Sequence, residues 1–169
     1  MAGHPKVPGH FSNQRAIPLQ LILASISARK TRPKSGPTEA LTQEYITRAS
    51  HFSPTQASIF ESEAALLGSC ERQPARPAAH LILLDPRGEL LTSEHFAQYL
   101  GRIRDDGARR IVFAIGPADG WSSSALARAQ KTVSLGPMTL PHELARAVLA
   151  EQLYRALTIL AGHPYHSGH

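Results

Sequence analysis

The 169-residue chain reads as an α/β protein with a mainly parallel sheet and helices on both faces. Three observations lead there. Two apolar runs, HLILLD at 80–85 and IVFAI at 111–115, have strand length and no polar alternation. Stretches of helical spacing separate them, and strand and helix signals alternate along the chain. Continuous apolarity suits a strand covered on both faces, because such a strand has no solvent side to alternate toward. A chain of this length buries a core within one domain, so residues 17–169 are read as a single domain.

Residues 1–16 (MAGHPKVPGHFSNQRA) carry Gly, Pro and His without period and are read as a flexible extension. Residues 19–27 form a buried strand. IPLQLILASISA, following Lys6 and Arg15, mimics a secretory signal, but Gln20 interrupts its core and RKTRPK follows it. A helix over 37–49 places Leu41, Tyr45 and Ala49 at helical spacing. Within 51–79 the sequence suggests a short strand near 57–60, a helical turn through ALLGSC and a Pro-rich linker, QPARPAA. The strand at 80–84 runs into a turn at Asp85-Pro86-Arg87-Gly88. The next helix starts at Thr92-Ser93 with Ser93 as cap, buries Phe96, Leu100 and Ile103, and ends at Gly107. After the strand at 111–115 come a loop at 116–121, a short helix at 123–129 and a last strand at 132–135. The longest helix, 142–161, carries Leu144, Val148, Leu149, Leu153, Ala156, Leu157 and Leu160 on its apolar side, with Gly162 beyond its end.

Composition narrows the function classes. Hydrophobic residues make up 42% and charged residues 18%, ordinary globular values. No run reaches the roughly 18 apolar residues of a membrane span. The single cysteine, Cys70, forms no internal disulfide and reads as a small buried hydrophobe. No Cys/His spacing suggests a metal site, and a reducing cytoplasm is the natural compartment. The net charge of +5 is unevenly placed: residues 1–38 hold six basic side chains and no acidic one. Within them ARKTRPKSG gathers Arg29, Lys30, Arg32 and Lys34. On charge alone, phosphate binding and a solvated loop fit that cluster equally.

In open α/β sheets ligands bind beyond the carboxyl ends of the strands. Three such ends carry loop signals: 84–88, 116–121 and 135–140. IGPADGW (115–121), VSLGPMTLPH (133–142), AEQLYRALTILAGHPYH (150–166) and LLDPRG (83–88) closely resemble the RlmH family, SPOUT-class methyltransferases of large-subunit ribosomal RNA. Weaker similarity reaches back to residue 19. The resemblance implies a homodimer whose C-terminal part is tied in a deep trefoil knot. It implies S-adenosyl-L-methionine as cofactor, S-adenosylhomocysteine as product, no metal, and methyl transfer to N3 of a pseudouridine in the assembled ribosome.

Carried over by motif, the cofactor set is Leu84, Gly116, Gly120, Leu135, Gly136, Pro137, Met138, Thr139 and Leu140. Leu135, Met138 and Leu140 could sandwich a flat adenine, while the prolines fix the loop before binding. Arg146, Tyr165 and His166 are the substrate-side residues, with Arg146 expected to face the RNA and Tyr165 to stack on or hydrogen-bond a flipped base. Arg155 is expected to be structural, paired with Glu151. His142 is read as a cap or packing residue rather than a proton acceptor. Arg29, Lys30, Arg32 and Lys34 become RNA-backbone contacts.

The chain departs from the family in four places. Pro117 stands where a second glycine is usual, and Ser167-Gly168-His169 where a basic residue follows Tyr-His. Segment 51–79 is short, and Ser27 replaces the usual glycine of the first strand. These departures motivate the alternative of a knotted cofactor- or RNA-binding protein with reduced or lost catalysis. An ordinary dinucleotide enzyme would need GxGxxG after the first strand, where ARKTRPKSG stands.

Overall fold

The computed structural model describes residues 18–27 and 35–165 in full and 166–167 as backbone. The extension at 1–16, the cations Arg29, Lys30, Arg32 and Lys34, the His166 side chain and Gly168-His169 lie outside the described residues. In chain order the elements are β1 (Gln20–Ile26), α1 (Pro37–Ser50), β2 (Thr55–Phe60), α2 (Glu63–Cys70), β3 (His80–Leu90), α3 (Ser93–Asp105), β4 (Arg110–Ile115), α4 (Ser123–Arg128), β5 (Lys131–Ser134) and α5 (His142–Leu160). A short 3-10 turn follows at Pro164–Ser167. The strands form one sheet in the order β2-β1-β4-β3-β5, and every pairing is parallel. Residues 20–26 of the stretch that mimics a secretory signal form β1, held between β2 and β4.

Successive strand residues face opposite sides, and here each side has its own core. Leu21 and Leu23 of β1 and Ile111 and Phe113 of β4 join α1, α3 and α5. Ile22, Ala24, Val112 and Ala114 join α2 and α4. This double coverage explains why β4 is buried at all six positions. Cys70 is buried in the second core, as a hydrophobe would be. Among the described residues, no helix is long and apolar enough to cross a membrane.

Three local readings change. The buried stripe of α1 is Thr42, Ile46 and Ala49, while Leu41 is 41% exposed. Thr42 tolerates complete burial because its hydroxyl donates to the Thr38 carbonyl at 2.9 Å. The start of α3 is capped by Thr92, whose Oγ1 accepts from the His95 amide at 3.1 Å. Ser93 is thereby released from capping. In α5, Leu144 is 41% exposed, and Arg146 and Thr158 are buried in its place.

The largest change concerns residues 85–88, which do not end β3. The strand bulges there and rejoins β5, so that Leu84 and Glu89 both lie opposite Val133, and Leu90 opposite Ser134. The buried Asp85 carboxylate closes the bulge. It accepts from the Arg87 amide at 2.8 Å and from its guanidinium Nε and Nη2 at 3.1 Å each. Those bonds, chiefly from the Arg87 side chain, hold the Asp85 carboxyl below its ordinary pKa. Gly88 then crosses the β5 backbone so closely that a Cβ would lie 2.7 Å from the Val133 amide nitrogen.

Two glycines therefore respond oppositely to alanine. Gly88→Ala should lower the unfolding free energy by roughly 1–3 kcal/mol through overpacking. Gly68→Ala, where nothing lies within 4 Å of the new Cβ, should raise it by about 0.5–1 kcal/mol, as expected inside a helix. Urea titrations of the two variants check both signs.

Candidate functional site

At the carboxyl ends of β3 and β4 the chain is cross-tied. Trp121, 7% exposed, donates its indole N–H to the Leu84 carbonyl at 2.9 Å. The ring lies over Gly116, where a Cβ would come within 2.8 Å of it. The glycine thus makes room for tryptophan. Between them the Gly120 amide donates to the Pro117 carbonyl at 3.0 Å, closing a tight turn. Gly120 takes a φ of +85° there, a conformation that glycine adopts at little cost. Pro117 contributes its carbonyl to this turn and needs no amide for it.

With its carbonyl tied on one face of the sheet, Leu84 turns its side chain to the other. There it lines a pocket of about 240 Å³ with Phe96, Phe113, Leu135, Val148 and Leu149. Ser93, Ser134 and Gln152 bring polar side chains to the same wall. Ser93 Oγ donates to Gln152 Oε1 at 2.8 Å. A small cavity at strand ends that combines apolar walls with convergent polar groups is what a bound heterocyclic ring requires. Its volume falls below the roughly 300–1,000 Å³ of a whole-ligand site, so it suits one ring system of an elongated ligand.

The loop after β5 follows directly on the lining residues Ser134 and Leu135. Gly136 has a φ of +138°; its amide donates to Ser134 Oγ at 3.1 Å, and that hydroxyl donates to the Gly136 carbonyl at 3.0 Å. Pro137 and Thr139 are exposed, Leu140 is half-buried, and Met138 is 80% exposed. Of the nine residues expected around the cofactor, Leu84 and Leu135 therefore line the pocket. Gly116, Gly120 and residues 136–140 do not line it.

Arg146 and Tyr165, expected on the substrate side, lie where α5 meets α1 and the tail. Arg146, expected to face RNA, is 4% exposed, and its Nη1 donates to Glu39 Oε2 of α1 at 2.6 Å. Arg146 thus stitches α5 to α1. Arg155 Nε donates to Glu151 Oε1 at 2.9 Å, and its guanidinium lies 5.1 Å from the Tyr165 ring centroid. Tyr165 donates to the same carboxylate oxygen at 3.2 Å and packs on Tyr154, with ring centroids 4.6 Å apart. Burial, the neighbouring Tyr45 hydroxyl and the Glu151 charge all push the Tyr165 phenol far up, keeping it neutral. His142 does not cap α5; the N-cap is Pro141. Burial first, then the Arg146 charge, lowers the His142 pKa. Among the described residues no group of His, Cys, Asp or Glu could hold a metal ion.

Sequence reasoning overlooked Ser93 and Gln152 as pocket residues. A signal existed for one of them, because Gln152 is a polar residue four positions after Val148, on the pocket-lining side of α5.

A family profile described as "Predicted SPOUT methyltransferase" matches residues 26–166. The chain is 49% identical over 138 residues to Ribosomal RNA large subunit methyltransferase H of Koribacter versatilis (strain Ellin345), covering 82% of this chain and 94% of that protein. It is 42% identical over 162 residues to the protein of the same name from Methylocella silvestris, covering 88% and 99%. Among solved structures, the SpoU methyltransferase AviRb from Streptomyces viridochromogenes, in complex with AdoMet, aligns at 13% identity with a TM-score of 0.47. That alignment covers 88% of this chain and 62% of AviRb.

The lowered pKa values of His142 and His80, the latter also lowered by burial, have a definite sign. As pH falls through the ordinary histidine value of about 6.5, the unfolded chain binds protons that these folded-state imidazoles resist. Stability therefore declines below that value and gains nothing from these groups above it. Urea midpoints at pH 7.5 and 5.5 should differ less in His142→Gln than in the unmodified protein; an equal difference would remove His142 from this account.

Proposed function

The chain belongs to the SPOUT methyltransferase family, and from that premise we propose that it transfers a methyl group from S-adenosyl-L-methionine to N3 of a pseudouridine in large-subunit ribosomal RNA. The observation that carries this reading is the pocket at the ends of β3 and β5, where Leu84 and Leu135, from two separate family motifs, line one cavity. The relatives of 42% and 49% identity, both named as large-subunit ribosomal RNA methyltransferases and covered over nearly their whole length, support the substrate class.

The residues fit the cofactor in parts. The cavity walls from Leu84, Phe96, Phe113 and Leu135 suit the flat apolar faces of adenine, and Gln152 and Ser93 supply hydrogen bonds. The loop at 136–140, exposed at Pro137, Met138 and Thr139, is available to the remainder of the cofactor. When bound, the sulfonium supplies an electrophilic methyl group. The protein's own part is to hold that group and the base in line and to keep water out. We assign base contact to Tyr165 and His166. Tyr165 serves as a neutral, apolar-faced hydrogen-bonding ring, since its phenol stays protonated. Arg146 acts from inside by locking α5 to α1, and Arg29, Lys30, Arg32 and Lys34 hold RNA phosphates.

We further assign a deep trefoil knot, a homodimer and action on the assembled ribosome in the cytoplasm. The knot is supported by β5 lying outside β3 while α5 returns to pack on β1 and β4. The dimer is supported by exposed Leu144, Met138 and Leu41. The alternative of lost catalysis is not favoured. Pro117 keeps its turn with Gly120, and the pocket and the Tyr165 contacts are in place.

Large ribosomal subunits from a strain lacking this modification, incubated with methyl-labelled S-adenosylmethionine, should accept one methyl group per particle. Tyr165→Ala should lower kcat/KM for the particle by roughly ten- to a hundredfold, the worth of one aromatic–base contact. Cofactor binding without transfer would overturn the catalytic reading.

A further inference from the structure

The two clusters of the site lie on different sides of α5, yet one chain of hydrogen bonds joins them. Successive helix residues point about 100° apart, so Gln152 faces α3 and the pocket while Glu151 faces the tail. From the pocket, Ser93 Oγ donates to Gln152 Oε1 at 2.8 Å, and Gln152 Nε2 donates to Glu151 Oε2 at 2.7 Å. The other oxygen, Oε1, takes Arg155 Nε at 2.9 Å and the Tyr165 hydroxyl at 3.2 Å. Arg155 Nη2 approaches Oε1 at 2.7 Å.

The Glu151 carboxylate, paired with the Arg155 guanidinium, fixes the direction of this chain. Glu151 can only accept, so the Gln152 amide must turn its NH₂ toward it and its oxygen toward the pocket. An amide free to flip would offer the pocket either a donor or an acceptor; this one offers an acceptor. Glu151 and Arg155 side chains are only 17% and 19% exposed, so these charge-assisted bonds are partly shielded from water and well ordered.

We propose that Gln152 is a positioning residue that reads a hydrogen-bond donor, an amino or hydroxyl group, on the ligand in the pocket and couples its presence to the placement of Tyr165 through Glu151. A ligand donor on Oε1 holds the amide in its orientation, which holds Glu151 Oε2, which leaves Oε1 aligned for Arg155 and Tyr165. Base contact is thereby strongest when the cofactor site is filled. The proposal rests on the pocket being the cofactor site and adds to it a direction of coupling.

Hydrogen exchange of amides 163–167 tests this, with and without saturating S-adenosylhomocysteine, alongside calorimetric binding of the same compound. In the unmodified protein, binding should slow exchange of the amides of 163 and 165–167, Pro164 having none, by about fivefold or more, the scale of a coupling of 1 kcal/mol. Gln152→Leu, which keeps the volume and removes the amide, should bind about tenfold more weakly and show no slowing at saturation. Ser93→Ala, which removes a pocket hydroxyl but leaves the Gln152–Glu151 bond intact, should bind more weakly yet show the same slowing at saturation. Equal slowing in Gln152→Leu, or none in the unmodified protein despite binding, would overturn the proposal. Absence of binding by the unmodified protein would instead overturn the cofactor reading beneath it.

Discussion

The hydrogen bond from the Trp121 indole to the Leu84 carbonyl is the constraint on which the site depends. It joins the loop after β4 to the end of β3 at 2.9 Å, and it exists only because residue 116 has no Cβ. Tying the carbonyl on the α2/α4 face fixes the peptide, and the pleat then sends the Leu84 side chain to the α3/α5 face, into the pocket. The bulge closed by Asp85 and Arg87 begins one residue later. It returns β3 to Val133 and Ser134, so the ends of β3, β4 and β5 are held mutually rather than left as independent loops. A pocket built on such ends is organised before any ligand arrives, which lowers the cost of binding.

Helix α5 serves both halves of the site. Val148, Leu149 and Gln152 line the pocket, while Arg146, Glu151 and Arg155 hold α1 and the tail. Its buried face carries a cation, Arg146, where an apolar side chain would pack more simply. Burying that charge is tolerable because Glu39 Oε2 lies 2.6 Å away, and the pair sets the register of α1 against α5 by direction as well as by contact. Losing either partner would leave the other charge poorly solvated, a far larger cost than losing a surface pair.

Much of this was legible in the sequence, and the exceptions have physical causes. The strands at 80–84 and 111–115 could be read because double burial removes polar residues altogether. The continuation of β3 could not, since Asp-Pro-Arg-Gly is turn chemistry whether the chain leaves the sheet or bulges and returns. The face of α1 was offset because Thr42 satisfies its hydroxyl within its own helix, which no apolar count registers. Motifs pointed to the loops at 84, 116 and 135. The inward turn of Arg146 depends on a partner 107 residues away, and the pocket role of Ser93 on one 59 residues away. Such pairings belong to the tertiary structure, and only the fold reveals them.

Trp121 is the sole tryptophan of the chain, and its indole is bonded to the residue whose side chain lines the pocket. Its fluorescence therefore reports directly on the central claim that the cavity between β3, β5 and α5 binds the adenosyl cofactor. Titration with S-adenosylhomocysteine should change the emission saturably, with one ligand per chain, and Leu84→Ala should weaken the response without abolishing the fold. Emission that stays constant through millimolar ligand, while calorimetry registers binding elsewhere on the chain, would contradict the account.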